Sequence, residues 1–149
     1  MSPLNLPPFD IKIVSHDGKQ MVWDIIRGKY VAFTPEENVR QHFIHYLIEH
    51  REYPRLLMGN EITIRLHGMS KRCDTIIYDR SLKPKMIIEY KSPSIAINND
   101  VFNQIVSYNM ALMVDWLVLS NGLKHYCTRI DYLNRKCRHM TDIPKYKEL

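Results

Sequence analysis

Met86-Ile87-Ile88-Glu89-Tyr90-Lys91 is an apolar run that closes on a carboxylate and an ammonium two residues apart. Successive side chains of a strand alternate faces, so Glu89 and Lys91 project together while Tyr90 points the other way. Unlike charges at the end of a buried run cost desolvation, and the placement asks for a reason. One reading is a salt-bridged strand end. The other is a metal site, in which Glu89 holds a divalent cation and Lys91 orients or activates a water.

Working outward, Glu61 to Leu66 and Asp74 to Tyr78 read as strands before this one, with Pro84 separating the last two. Downstream, Asn99 or Asp100 caps a helix running to about Met113, with Val101, Ile105 and Leu112 on its packing face. Trp116-Leu117-Val118-Leu119-Ser120 then reads as another buried strand. The return from Met86 through a helix to Trp116 has crossover length, which implies a parallel pair inside an α/β sheet flanked by helices. Asp74 is expected to open one strand where Glu89 closes the next, so adjacent ends would place both carboxylates around one ion.

Two hairpins and one helix complete the outline. Asp17-Gly18 between Ile11-Lys12-Ile13-Val14 and Gln20 to Ile25 predicts an N-terminal hairpin over about residues 11–26. Thr34 followed by Pro35 and Glu37 makes a capping box, and Val39, Phe43 and Leu47 continue a helix to about Glu52. Asn121-Gly122 predicts a tight turn between Trp116–Ser120 and Leu123–Cys127. The basic tail over about 128–149 is expected to be poorly ordered beyond Cys137.

The chain has 149 residues, 45% hydrophobic and 25% charged, which fits one domain with one core. Three cysteines without a Cys-x-x-Cys pair argue against a disulfide framework or a zinc ribbon, and a reducing cytoplasm is the expected compartment. No run approaches the roughly 20 apolar residues of a membrane span, so a soluble protein is expected. The net charge of +5 is concentrated late in the chain, where Lys124, Arg129, Arg135, Lys136, Arg138, Lys145 and Lys147 face only Asp131, Asp142 and Glu148. That excess suits a phosphate backbone, and it equally suits a solvated surface.

Asp74, Glu89 and Lys91 form the spaced acidic-acidic-lysine pattern of the PD-(D/E)XK nuclease superfamily. Thr34 to Gln41, Lys71 to Asp79, Ile87 to Pro93, Gln104 to Asn109 and the Leu119-Ser120-Asn121-Gly122 turn resemble, in that order, the N-terminal nuclease domain of type I restriction enzyme R subunits. The resemblance extends from about Pro35 to Cys127. It implies a restriction-endonuclease-like fold and magnesium-dependent hydrolysis of DNA phosphodiesters, with manganese as a substitute ion. Asp74, Glu89 and the Tyr90 carbonyl would then be metal ligands, Lys91 would assist the water, and Glu37 would add a contact behind those ligands or to a second metal ion. Gln104 and Tyr108 match the Gln-xxx-Tyr motif of RecB-like nucleases, and four residues apart on a helix they share a face. Cys73 stands where the pattern has proline.

Simpler readings stand beside these. Glu37 is explained locally by the capping box, Gln104 and Tyr108 by an amphipathic helix, and Arg72 by a surface ion pair rather than a DNA contact. His42, His45 and Glu49 fall at spacings that suit either a second metal site or a solvated helix face. A non-catalytic nucleic-acid-binding or assembly module would keep the same fold and basic surface. RNA rather than DNA as substrate would use the same chemistry. The expected partners are DNA and separate motor or specificity subunits, since no Gly-x-x-x-x-Gly-Lys-Ser/Thr phosphate loop occurs in these residues. Cutting both strands calls for two active sites and leaves a homodimer open.

Overall fold

A computed structural model describes residues 3–149, apart from the side chains of Leu66, Tyr108 and Ala111. Strands β1 (Ile13–His16), β2 (Lys19–Asp24) and β3 (Lys29–Ala32) form an antiparallel meander. Helix α1 (Pro35–His50) follows, capped by Thr34, whose hydroxyl accepts from Glu37 N at 3.0 Å. A six-stranded sheet runs in sequence order through β4 (Met58–Leu66), β5 (Met69–Tyr78), β6 (Pro84–Tyr90), β7 (Trp116–Ser120), β8 (His125–Asp131) and β9 (Lys136–Met140). Neighbours are antiparallel except β6 and β7, which pair in parallel across the crossover helix α2 (Asn99–Leu112). The mixed sheet with flanking helices is therefore the expected class.

The alternation along β6 decides where the polar residues go. Met86, Ile88 and Tyr90 pack with Val39, Phe43, Ile44 and Leu47 of α1, while Ile87 joins Leu112 and Val114 beyond the other face. Glu89 shares the face of Ile87. Each fully buried aliphatic or aromatic side chain here contributes roughly 1.5–3 kcal/mol. Position and partners on the α2 side therefore determine the chemistry of Glu89.

Four expectations are corrected. The N-terminal hairpin gains a third strand, β3, whose short and exposed sequence carries little strand signal. Strand β5 begins at Met69, after the His67-Gly68 turn, so Asp74 lies within the strand and not at its opening. The turn after β7 spans four residues: Asn121 Oδ1 accepts from the N–H groups of Leu123 and Lys124, while its amide donates to Ile95 O. That displaces β8 to His125–Asp131. The tail is ordered by β9 pairing along β8, by buried Ile143, and by the Tyr53 hydroxyl donating to Pro144 O at 2.8 Å. Among the described residues no helix is long and apolar enough to cross a membrane. The three cysteines are free, and burial pushes the Cys73 thiol up to about 12.

Candidate active site

Asp74 and Glu89 come together where β5 and β6 run side by side. The register pairs Thr75 with Ile88 in the antiparallel ladder, which puts Asp74 opposite Glu89. Asp74 Oδ2 accepts from Tyr90 N at 2.9 Å, so the carboxylate is oriented by the backbone of the neighbouring strand. Glu89 is pushed up to about 7, first by burial and then by the charge of Asp74 beside it, with the Lys71 contact opposing. Lys71 Nζ lies 2.7 Å from Glu89 Oε1, an ionic contact off the hydrogen-bonding direction.

Lys91, just past β6, opens into a groove shared with Glu36, Lys71, Ser92 and Gln104. Gln104 projects from α2 into this groove. The Tyr108 side chain lies outside the described residues. Glu36 was not anticipated. It is half-buried, and its carboxyl is raised by burial and by Asp74 while Lys91 and Arg40 oppose the shift. The same capping geometry that drew attention to Glu37 thus brings its neighbour to the groove.

Glu37 is engaged elsewhere. Its carboxylate accepts from Arg27 at 2.7 Å and Gln41 at 3.2 Å, and Arg40 Nε lies 3.5 Å away. The helix N-terminus that carries it buries Asn38, Arg40 and Gln41 as well. Arg40 is the link to the carboxylate pair: its Nη2 is 2.5 Å from Glu61 Oε1 and 3.9 Å from Asp74 Oδ1, and its guanidinium lies over the Tyr90 ring. Glu61 also binds Arg72, so Arg72 closes an ion pair at the surface. Glu61 adopts a left-handed backbone (φ 57°) inside β4, between residues that keep register with Thr75 and Cys73. For a residue with a Cβ that conformation costs about 1–2 kcal/mol. A further chain of bonds runs from the Tyr90 hydroxyl to Thr75, then Asn60, then Asp24, which pairs with Arg27. Arg40 and Glu61 escaped the sequence reading because their partners are distant along the chain.

His42 and His45 form neither a metal site nor a solvated face. Phe9 stacks on His45 at 3.9 Å and meets His42 edge-on at 4.8 Å, while His42 Nδ1 lies against Asn38 O. Among the described residues no group of three or more His, Cys, Asp or Glu side chains is gathered for an ion. The carboxylate pair offers a different donor set, two hard oxygen ligands with the Tyr90 carbonyl next in the chain. That set fits a cation that keeps several of its own waters, the habit of magnesium. The raised Glu89 carboxyl supports the fit, because two crowded carboxylates gain from a positive charge between them.

The profile described as type I restriction enzyme R protein N terminus matches residues 35–144. Among solved structures, a fragment described as an HsdR subunit of a type I restriction enzyme from Vibrio vulnificus YJ016 aligns with a TM-score of 0.54 at 18% identity. The alignment covers 78% of this chain and 24% of that one, so this chain spans about a quarter of the neighbour's length. At that identity the likeness is one of fold. No curated protein matches the chain.

Proposed function

Because the chain belongs to the type I restriction enzyme R protein N-terminal family, we propose that it is a metal-dependent nuclease domain of the PD-(D/E)XK type that hydrolyses DNA phosphodiesters. The observation that carries this reading is the juxtaposition of Asp74 and Glu89 on neighbouring strands, next to a groove lined by Lys91 and by Lys71, the ammonium partner of Glu89. Asp74, Glu89 and the Tyr90 carbonyl would hold magnesium, with manganese as a substitute. The ion, when bound, offsets phosphate charge and lowers the pKa of a coordinated water.

The chain's own residues do the rest. Tyr90 N and Arg40 fix the orientation of Asp74. Lys91 holds the attacking water or offsets charge on the phosphate, and Gln104 of α2 walls the groove. Glu36, facing the groove, takes the auxiliary role that the sequence assigned to Glu37. Activity of the assembled enzyme draws on separate motor and specificity subunits, and the domain acts in the cytoplasm. Two-strand cleavage would take two such sites, as in a homodimer, or sequential action by one.

Purified protein incubated with plasmid DNA and magnesium should nick or cut it. Asp74→Asn, Glu89→Gln and Lys91→Met should each lower the rate by about a hundredfold to a thousandfold, the scale of losing an electrostatic stabiliser of the transition state, with unchanged circular dichroism. Undiminished cutting by all three would falsify the site. Salt-sensitive DNA binding without cutting would favour the non-catalytic module, and preferential cutting of RNA would change the substrate class.

A further inference from the structure

The first half of α2 is a ridge with a hollow on each side. One flank, with Val101, Gln104 and Ile105, borders the groove that Glu36, Lys71 and Lys91 line. The other, with Asn99, Phe102 and Asn103, walls a second cavity of about 350 Å³ whose opposite side includes Tyr126 of β8 and His139 of β9. The hydrolytic chemistry makes no use of this second cavity. Its rings form a set, with Phe102 5.9 Å from Tyr126 and 5.4 Å from His139, tilted by 47° and 53°.

These rings are held in place without being covered. Phe102 packs partly against Val106, Leu117 and Ile130, and Thr128 Oγ1 lies 2.9 Å from His139 Nδ1. Phe102 and Tyr126 remain half-buried and His139 exposed, which leaves ring surface for a planar guest. On the rim, Asn99 and Asn103 are exposed and four residues apart, hence on one helix face. A carboxamide presents a donor beside an acceptor, the pattern that matches the edge of a nucleobase. An aliphatic guest would leave that pattern unused.

We infer that this cavity holds one unstacked base of the nucleic-acid strand whose backbone lies in the Lys91 groove, beside the carboxylate pair. The inference rests on the nuclease reading and adds a specificity element to the same site. The volume suits a single small planar group. Stacking on aromatic rings accepts any base, and the two carboxamides choose among them. The groove on the other flank of α2 is lined by Lys71 and Lys91 beside Glu36, cations that a phosphate backbone would meet there. The spacing is consistent: a helix with its side chains is about 10–12 Å across, about three nucleotides at a rise of about 3.4 Å.

The test uses the full chain and single-stranded oligonucleotides with 2-aminopurine at successive positions, titrated in EDTA so that nothing is cut. The cut position is mapped separately in magnesium. Strong quenching is expected at one position, roughly three nucleotides from the cut. An abasic site there should weaken binding roughly tenfold in the wild type and leave Phe102→Leu unaffected. Because Phe102 also packs inward, Tyr126→Leu provides a second stacking variant, and thermal melting reports folding of both. Asn99→Ala/Asn103→Ala should keep the quenching and lose the preference among bases. Uniform quenching along the strand, or an abasic site without effect in the wild type, overturns the proposal. Cutting that depends on Asp74 and Glu89 but lacks position-specific quenching sinks the base site and leaves the nuclease reading standing. Position-specific quenching without cutting does the reverse.

Discussion

Two clusters of buried acids meet at the N-terminus of α1, and they titrate in opposite directions. In the first, burial works to raise Asp24, yet hydrogen bonds from Asn60 and Arg27 overcome it and hold the carboxyl below its ordinary value. Glu61 behaves likewise, with Arg40 and Arg72 outweighing its burial. In the second, Glu89 is buried against Asp74 with Lys71 as its ammonium partner, and its carboxyl rises to about 7. Guanidinium-matched acids make a scaffold. An acid pressed against another acid keeps a demand for positive charge, and that demand distinguishes a candidate site from its supports.

The contrast can be broken most forcefully at Arg40, which is 4% exposed and serves Glu37, Glu61 and Asp74 together. Arg40→Met should cost about 3–5 kcal/mol by leaving buried carboxylates uncompensated, read as a lower urea midpoint with an unchanged slope. A smaller loss of stability would mean that the network serves orientation and not folding.

Glu89→Gln sharpens the other side. A carboxyl raised in the folded state binds its proton more tightly there than in the unfolded chain, so its ionisation costs stability as pH rises from about 4.5 to about 7. The loss across that window is roughly 3 kcal/mol at most. Urea denaturation at the two ends should show it in the wild type and not in Glu89→Gln, and a flat wild-type profile would contradict it. Asp24 gives the opposite sign: its contribution is present above the unfolded carboxylate pKa and fades as pH falls through the lower folded one. The smallest effect belongs to Arg72, whose side chain is 70% exposed. Arg72→Ala should change stability by no more than about 1 kcal/mol, measured by the same denaturation.

What was legible in the sequence was what local periodicity carries. The alternation of Met86 to Lys91 placed Glu89 on one face, and the length from Tyr90 to Trp116 required a helical crossover. Thr34 announced the start of α1. The capping box could not reveal that Glu37 would meet Arg27 from the small sheet, because that partner arrives through tertiary packing. Arg40 carried no signal of its own for the same reason, since its partner Glu61 lies 21 residues further along the chain. Strand β9 was missed because it is an edge strand, where charges such as Lys136 and Arg138 are tolerated and mask the alternation. Phe9 lies more than thirty residues before His42, too far for spacing to foretell a ring stack.

The turn after β7 also carries a consequence for chemical ageing. An asparagine followed by glycine is the pair most open to attack of the next backbone nitrogen on the side-chain amide, which closes a succinimide and ends in deamidation. Here the Asn121 amide is clamped by Ile95, Leu123 and Lys124, and the Gly122 nitrogen is occupied in donating to Ser120 Oγ at 3.0 Å. A Cβ on residue 122 would lie 2.8 Å from Leu4 and 2.9 Å from Val39, so the vulnerable pair cannot be exchanged for a safer one without moving the packing. The fold keeps the labile dipeptide and arrests its chemistry, leaving Asn121 to age only in molecules that have opened.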